Sequence, residues 1–420
     1  MLTRTDAEAR IPVGLQPGRI MRFVFATFGT QGDVQPFLAL GRELLERGHR
    51  VLLGAPANFQ GRTEALGLDF VALGPPADGP EAREVFGAAN ELRDVTAQVQ
   101  LTLPYALAHA EAAVEALCRV ARGADALVSI PYQAAGRIAA EVLGLPYVSV
   151  HLSPFGSSRR PRLREVAAPG FNACRAIFGL PPVDDPLGAE GVSPDLALTP
   201  VSPHLFPRPA GWPEHHVLTG FWHLEEVPSV DPGLQAFVEG GEAPVVLGFG
   251  SMTHQDPEAV ARLLAEAVAL AGVRAVIQTG WSGLGAEAPP DRVRFAAFVP
   301  HGWLFPRAAC VVHAGGAGTS AAAFRAGTPA VFVPHWLDQY LWGALAVERR
   351  LASASIPLAE LTAPRLAQAL RRVLDHPEYR TSALAVAQVL DRERGAATAA
   401  DHLERLVTSG RSAFRKGAGG

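Results

Sequence analysis

Cysteine is scarce in this chain of 420 residues: only Cys118, Cys174 and Cys310 occur, far apart and mostly within apolar stretches, with no CxxC pair. That excludes a thiolate zinc site and a disulfide framework, and leaves buried free thiols in a reducing compartment as the expected state. A basic excess is also missing. The formal net charge of -4 offers no stripe for a nucleic-acid backbone. Long apolar runs are absent too: the longest uncharged stretch, Ala308 to Phe324, is full of Gly and holds a His, which a membrane-spanning helix would not favour. The N-terminus lacks the basic-then-apolar layout of a signal peptide, so a cytoplasmic location is expected. What the chain does have is apolar material. With 48% hydrophobic and 19% charged residues it can bury sizeable cores, and its length suits two domains better than one.

Residues 1–20 mix charge, Pro and Gly and read as a disordered tail, with Met21 a second candidate start. From there two blocks alternate strand and helix patterns. Arg22 to Thr27 is a short continuous apolar run, as in a strand buried on both faces. A Gly-rich turn follows, then a helical pattern from Val34 to Arg47, stopped by Gly48, then a strand at Arg50 to Leu53. This βαβ unit opens an N-terminal domain expected over 21–215. Residues 181–232, dense in Pro, His and Trp, suit a wandering connection, with the linker proper at 216–240. Alternation resumes in a second domain over 241–390, with strands expected near Val245, Arg274, Val293, Cys310, Ala330 and Ala352. A helical stretch follows over 391–410, expected to return to the first domain. Parallel strands with crossover helices are the economical topology for this order. The expectation is therefore an α/β protein of two doubly wound, Rossmann-like domains facing across a cleft, with functional loops at the carboxyl ends of the strands.

Three loops carry residues suited to chemistry. His313-Ala-Gly-Gly-Ala-Gly-Thr319 lies between a strand and a helix. Its small residues at Gly316 and Gly318 admit close backbone approach, and the N–H groups of Gly318 and Thr319 can bind phosphate at the helix start. A Gly-rich turn that only lets strand and helix pack explains the same residues. Pro334-His-Trp-Leu-Asp338-Gln339 ends the next strand. A carboxylate beside an amide can hold neighbouring hydroxyls of one sugar ring, or Asp338 can simply cap a helix. Asp33, after the first strand, is either a catalytic carboxylate or the N-cap of a helix beginning at Val34 with Pro36 in its first turn.

Taken together, Phe298-Val-Pro-His301, His313 to Thr319, Asp338-Gln339 and Trp342-Gly343 resemble the donor-binding signature of the family 1 glycosyltransferases, inverting nucleotide-sugar-dependent enzymes of the GT-B fold. Gly29-Thr-Gln-Gly-Asp33-Val-Gln-Pro36 resembles the opening loop of the bacterial glycopeptide and the sterol branches. Gly248-Phe-Gly-Ser-Met252 and the Asp-Gln-x-x-Trp-Gly run lean toward the sterol type, whereas His335 and Trp336 depart from the residues common there. The resemblance covers Met21 to about Val407. It implies that His313, Gly316, Gly318, Thr319 and Ser251 contact the donor diphosphate. Phe298 would stack on the nucleobase and the Val299 backbone would pair with the base edge. Asp338 and Gln339 would hold the sugar, and Asp33 would be the general base. Gln31, His151 and Trp336 are acceptor-side candidates, with apolar surface from Leu101 to Leu107 and Phe155; Trp281 is a further cleft candidate. No Asp-x-Asp occurs, so no metal is expected, and no cofactor beyond the nucleotide-sugar co-substrate. UDP-glucose with a sterol, hopanoid or polycyclic acceptor is favoured. A dTDP-deoxysugar with an antibiotic aglycone is the alternative. Peripheral membrane contact and the choice of monomer or homodimer stay open.

Two readings from other classes compete. A dinucleotide-dependent oxidoreductase needs G-x-G-x-x-G, which the Gly29–Gly32 turn fails and which Gly248-Phe-Gly250 fails because Thr253 stands where the third Gly belongs. A non-catalytic bilobal binding protein would share the lobes but leave Asp33 without a purpose.

Overall fold

The computed structural model describes residues 19–92, 94–154, 161–225, 229–285, 291–336, 338–410 and 412–414; Phe155 lies outside this set, as do residues 1–18 and Leu337. The first half of the chain runs β1 (Arg22–Ala26), α1 (Gln31–Glu46), β2 (Arg50–Ala55), α2 (Gln60–Ala65), β3 (Asp69–Ala72), α3 (Pro80–Asn90), α4 (Val95–Leu107), α5 (Ala110–Val120), β4 (Ala126–Ser129), α6 (Ala134–Leu143), β5 (Tyr147–Val150), α7 (Pro161–Ile177), β6 (Leu196–Thr199) and β7 (His216–Leu218). The second runs α8 (Pro232–Glu239), β8 (Val245–Leu247), α9 (Pro257–Ala271), β9 (Ala275–Gln278), β10 (Val293–Ala296), α10 (His301–Leu304), β11 (Cys310–His313), α11 (Ala317–Arg325), β12 (Ala330–Phe332), α12 (Gln339–Glu348), β13 (Ala352–Ser355), α13 (Ala363–Asp375), α14 (Pro377–Leu390) and α15 (Gly395–Ser409).

These strands form two all-parallel sheets, ordered β3-β2-β1-β4-β5-β6-β7 and β10-β9-β8-β11-β12-β13. Parallel sheets need both faces covered, and both are. Phe23, Phe25, Phe37 and Leu38 pack one face of the first sheet, with Val24, Leu117 and Ile138 on the other. Around the second sheet, Leu247, Leu264 and Leu366 fill one face, and Phe324, Phe332 and Trp342 belong to a separate cluster. The architecture is the α/β, two-domain GT-B arrangement expected above. Strand order reverses between β1 and β4 in one sheet and between β8 and β11 in the other. Ligands in such sheets bind at the carboxyl ends of the strands where the order reverses. The loops after β1, β8 and β11 sit there, and they carry Asp33, Ser251 and the Gly315–Thr319 run.

Three details differ from the sequence reading. The stretch expected to wander, 181–232, contains β6 and β7, so the first sheet extends to Leu218; the short apolar strands are hidden among Pro and His. Helix α1 starts at Gln31 rather than Val34, because Thr30 takes the N-cap position and Asp33 bonds back to it. The C-terminal helical pattern divides into α14 and α15. At the break, a Cβ on Gly395 would lie 2.3 Å from Phe221 O and 2.6 Å from Gly220 O, so the chain passes where only Gly fits. Beyond it, α15 packs on α1. Leu403 and Leu406 join Phe37 and Leu44 in one core, each burying a side chain to the benefit of about 2 kcal/mol.

Candidate active site

Asp33 is held by its own loop. Its carboxylate Oδ2 accepts from Thr30 N–H at 2.7 Å and from Thr30 Oγ1 at 3.2 Å. Gly29, at φ +109°, makes this possible, since a Cβ there would lie 2.4 Å from Asp33 Oδ2. Burial pushes Asp33 up to about 6, against the lowering by the two Thr30 bonds. A carboxylate in that range can exchange protons near neutrality.

Asp338 approaches from the other domain. It occupies the N-cap position of α12, yet its side chain does not bond the first-turn N–H groups; Oδ2 accepts from Trp342 Nε1 at 3.1 Å instead. Burial raises it to about 6, the Trp342 bond lowers it, the charge of Asp33 raises it further, and a bond from the Ser153 hydroxyl lowers it. Ser153 follows β5 of the first sheet. The charge of Asp33 felt by Asp338 and the Ser153 bond bring the two carboxylates near one another from the two domains. Helices α1 and α11 pack against one another across the same boundary.

The loop after β11 leads into α11. His313 is 1% exposed; its Nδ1 accepts from Gly315 N–H at 3.1 Å. A neutral imidazole that accepts at Nδ1 carries its proton on Nε2. That Nε2 is buried with no hydrogen-bond partner among the described residues. Burial, and then the neighbouring His301, lower His313 to about 3, so the ring is a neutral donor. Next to it, α11 begins with Gly316 as N-cap, and its first intrahelical bond runs from Ser320 N–H to Gly316 O. The N–H groups of Ala317, Gly318 and Thr319 precede that bond and are the orphan donors of a helix start. A Cβ on Gly316 or Gly318 would meet nothing within 4 Å, so the loop faces open space. Gly315 is different: at φ +96° its Cβ would lie 2.8 Å from Phe332 Cδ1 and 3.1 Å from Gln339 O. Gly315→Ala is therefore expected to destabilise by about 2 to 3 kcal/mol. Gly318→Ala, inside a helix with free space, should leave stability unchanged or raise it by up to about 1 kcal/mol. Urea unfolding of both variants checks the pair.

The remaining sequence candidates fall into separate groups. Ser251 is part-buried on the loop after β8, where Gly250 O accepts from Trp281 N–H at 2.9 Å and binds that loop to the one after β9. Trp281 reaches the core of the first domain. Phe298 is 53% exposed, free to stack on a flat ligand, while Val299 is buried and its carbonyl accepts from Gln278 Nε2 at 3.2 Å. Gln339 is buried and turned inward: Oε1 accepts from His335 N–H at 2.8 Å and Trp336 N–H at 3.2 Å. Gln31 is half-buried at the start of α1. His151 directly follows β5, with Nε2 3.0 Å from Ser149 Oγ, and burial followed by His216 lowers it to about 3. Trp336 meets Phe86 edge-on at 6.1 Å, and Phe86 meets Tyr105 at 5.8 Å, so aromatic surface from α3 and α4 reaches the cleft. In α4, Leu103 is buried and Leu101 exposed.

The sequence reading missed the cross-domain amides. Asn90 Nδ2 donates to Thr253 O at 2.9 Å, and Gln98 Nε2 to His335 O at 3.0 Å. Nothing in the local pattern of α3 or α4 marks either residue. The Asp338–Trp342 bond was within reach, because residues four apart share a helix face.

The site offers a carboxylate able to take a proton on one domain, and a neutral N–H donor and a helix start suited to an anion on the other. Comparisons with known proteins place the chain in a family. The model of the glycosyltransferase family 28 N-terminal domain matches residues 23–157, and that of the erythromycin biosynthesis protein CIII-like C-terminal domain matches residues 261–404. An O-mycaminosyltylonolide 6-deoxyallosyltransferase of Streptomyces fradiae is 30% identical over 94% of this chain and 100% of its own. A sterol 3-beta-glucosyltransferase of Arabidopsis thaliana is 30% identical over 90% of this chain, and the match spans 64% of that relative's length. Among solved structures, the glycosyltransferase VinC, in complex with dTDP, superposes with a TM-score of 0.66 at 24% identity, covering 93% of this chain and 100% of its own. The chain belongs to the family 1 glycosyltransferases of the GT-B fold.

Proposed function

We propose that the protein moves a hexose from a nucleoside-diphosphate sugar to a hydroxyl of a lipophilic acceptor by a single inverting displacement. The observation that carries the reading is the presence, on two elements that pack together, of Asp33, a carboxylate raised to about 6 in the first turn of α1, and of the Nε2–H of His313 just before α11, unpartnered among the described residues. The acceptor O–H gives its proton to Asp33 as its oxygen forms the new bond to the anomeric carbon. The bond from that carbon to the β-phosphate oxygen breaks, and the nucleoside diphosphate leaves with the electron pair. His313 and the N–H groups of Gly318 and Thr319 stabilise the charge that develops on it. Asp338 receives sugar hydroxyls, and Phe298 stacks on the base. In this reading the protein's own donors meet the leaving group's charge, and no metal is required.

The sterol 3-beta-glucosyltransferase relative supports glucose as the sugar and a sterol or similar polycyclic acceptor, the reading in which the donor is UDP-glucose. The Streptomyces relative and the dTDP bound by VinC support the second reading, a dTDP-deoxysugar and an antibiotic-type aglycone. Calorimetry with UDP, dTDP, UDP-glucose and dTDP-glucose, with and without EDTA, decides between them. It is followed by product analysis against a panel of sterols and macrolide aglycones. One nucleoside diphosphate should bind without metal, and an α-configured donor should give a β-configured product. Binding of neither nucleotide, or a product of retained configuration, would sink the reading.

A further inference from the structure

Every polar atom of His335 has a hydrogen-bond partner. Its N–H donates to Gln339 Oε1 at 2.8 Å, its carbonyl accepts from Gln98 Nε2 at 3.0 Å, its Nδ1 lies 2.8 Å from Val333 O, and its Nε2 lies 3.0 Å from His254 Nε2. These contacts set both tautomers. A carbonyl only accepts, so Nδ1 of His335 holds the proton and Nε2 must accept. His254 therefore donates from Nε2, and its Nδ1 shares the single proton of the Ser282 hydroxyl, at 2.9 Å, with Met252 O at 3.1 Å. Phe249 flanks both rings, at 4.9 Å from His335 and 5.5 Å from His254. Burial and the neighbouring ring hold His335 down to about 3, and burial holds His254 down to about 4, so the bond joins two neutral imidazoles.

The bond ties together loops that carry different parts of the site. His254 lies on the loop after β8, with Ser251. His335 opens the turn after β12, which is closed by Gln339 N–H on Trp336 O at 3.2 Å and by Gln339 Oε1 on the two N–H groups before it. Asp338 sits inside that turn. Asn90 holds Thr253 and Gln98 holds His335 from the acceptor-side domain, so the pair also sets the turn relative to Asp33.

We propose that His254 and His335 are a positioning pair for the sugar end of the donor. Their ring-to-ring hydrogen bond holds the turn that carries Asp338 at the distance from Asp33 that transfer needs. The proposal rests on the glycosyltransferase reading above and concerns only the sugar. The nucleotide end is held by the loop after β11 and by Phe298, and Ser251, on the loop that carries His254, is fixed independently of the ring pair by the bond from Trp281 N–H to Gly250 O at 2.9 Å.

The test uses the full chain and compares UDP with UDP-glucose by calorimetry, or dTDP with dTDP-glucose if that is the pair the wild type binds. His335→Phe keeps a ring beside Phe249 and removes every ring bond. It should leave UDP affinity within about twofold, while UDP-glucose affinity and kcat fall by about 10- to 100-fold. His254→Phe should do the same, and the double variant should be no worse than either single one. His335→Gln, whose amide oxygen can accept from His254, should recover most of the loss. Equal weakening of UDP and UDP-glucose, additive losses in the double variant, or failure of the Gln rescue would each overturn the pairing. Wild-type protein that binds neither nucleotide would bring down the underlying function instead, and this proposal with it.

Discussion

Asp33→Asn is expected to lower kcat about a thousandfold, within the range removed with a general base, and to leave nucleoside-diphosphate binding intact. The substitution separates catalysis from capping. An Asn oxygen still accepts from Thr30 N–H, the bond that now falls on Asp33 Oδ2 at 2.7 Å, so α1 keeps its start. What is lost is basicity. In the wild type, kcat/KM should rise with pH through about 6 and level off above it, because burial raises Asp33 to about 6 and only the ionised form accepts the acceptor's proton. The stability effect has the opposite sense. A carboxyl raised from its ordinary value near 3.9 favours the fold at low pH, and that contribution is lost as pH rises through 6. Asp33→Asn therefore removes a buried charge at pH 8. Its melting temperature there should equal or exceed that of the wild type, with the advantage gone near pH 4. Thermal melts at both pH values, alongside turnover, check this. A variant that keeps a tenth of wild-type activity would return Asp33 to a capping role.

The parts of this fold most legible in the sequence are those whose constraints are local. β1 and β11 read as strands because a strand buried on both faces needs a continuous apolar run, and Phe23 to Ala26 and Cys310 to Val312 supply one. The turn at Gly29 and the loop at Gly315 read as functional because only Gly takes their backbone geometry at such close approach. β3 and β7 were not legible. Both are edge strands, Asp-Phe-Val-Ala and His-Val-Leu, and one open edge relaxes the demand for a continuous apolar pattern. The start of α1 was misjudged by three residues, since Thr30 and Asp33 form a capping box with Asp in place of the usual Glu. Within the site, residue types were legible but their partners were not. Gln339 reads as a sugar ligand, yet its oxygen is spent on His335 and Trp336 N–H groups. Asn90, Gln98 and the bond between His254 and His335 depend on which loops face each other across two domains. No periodicity within one element carries that information.

His313→Ala is expected to weaken nucleoside-diphosphate binding by about 10- to 100-fold, the loss of one hydrogen bond to a charged group. The ring's geometry is the reason. Gly315 N–H fills Nδ1, which commits the proton to Nε2, and that buried donor has no partner among the described residues. Leaving such a donor unpaired costs about 1 to 3 kcal/mol, and a phosphate oxygen recovers it on binding. The contact should behave as neutral rather than ionic. His313 is held down to about 3, so UDP-glucose, whose phosphates have no proton to lose near neutrality, should bind with the same affinity from about pH 6 to pH 8. An imidazole of ordinary pKa, near 6.5, would instead bind more tightly as pH falls through that range. Its effect on stability also follows from the lowered value: the neutral ring supports the fold above about 6.5, and this support is lost as pH falls toward 3. The Ala variant also leaves a cavity, so its unliganded melting temperature will fall. The deciding quantity is the rise in melting temperature on adding nucleotide, which should be large for wild type and nearly absent for His313→Ala. An undiminished rise would mean that the diphosphate does not sit against the loop after β11.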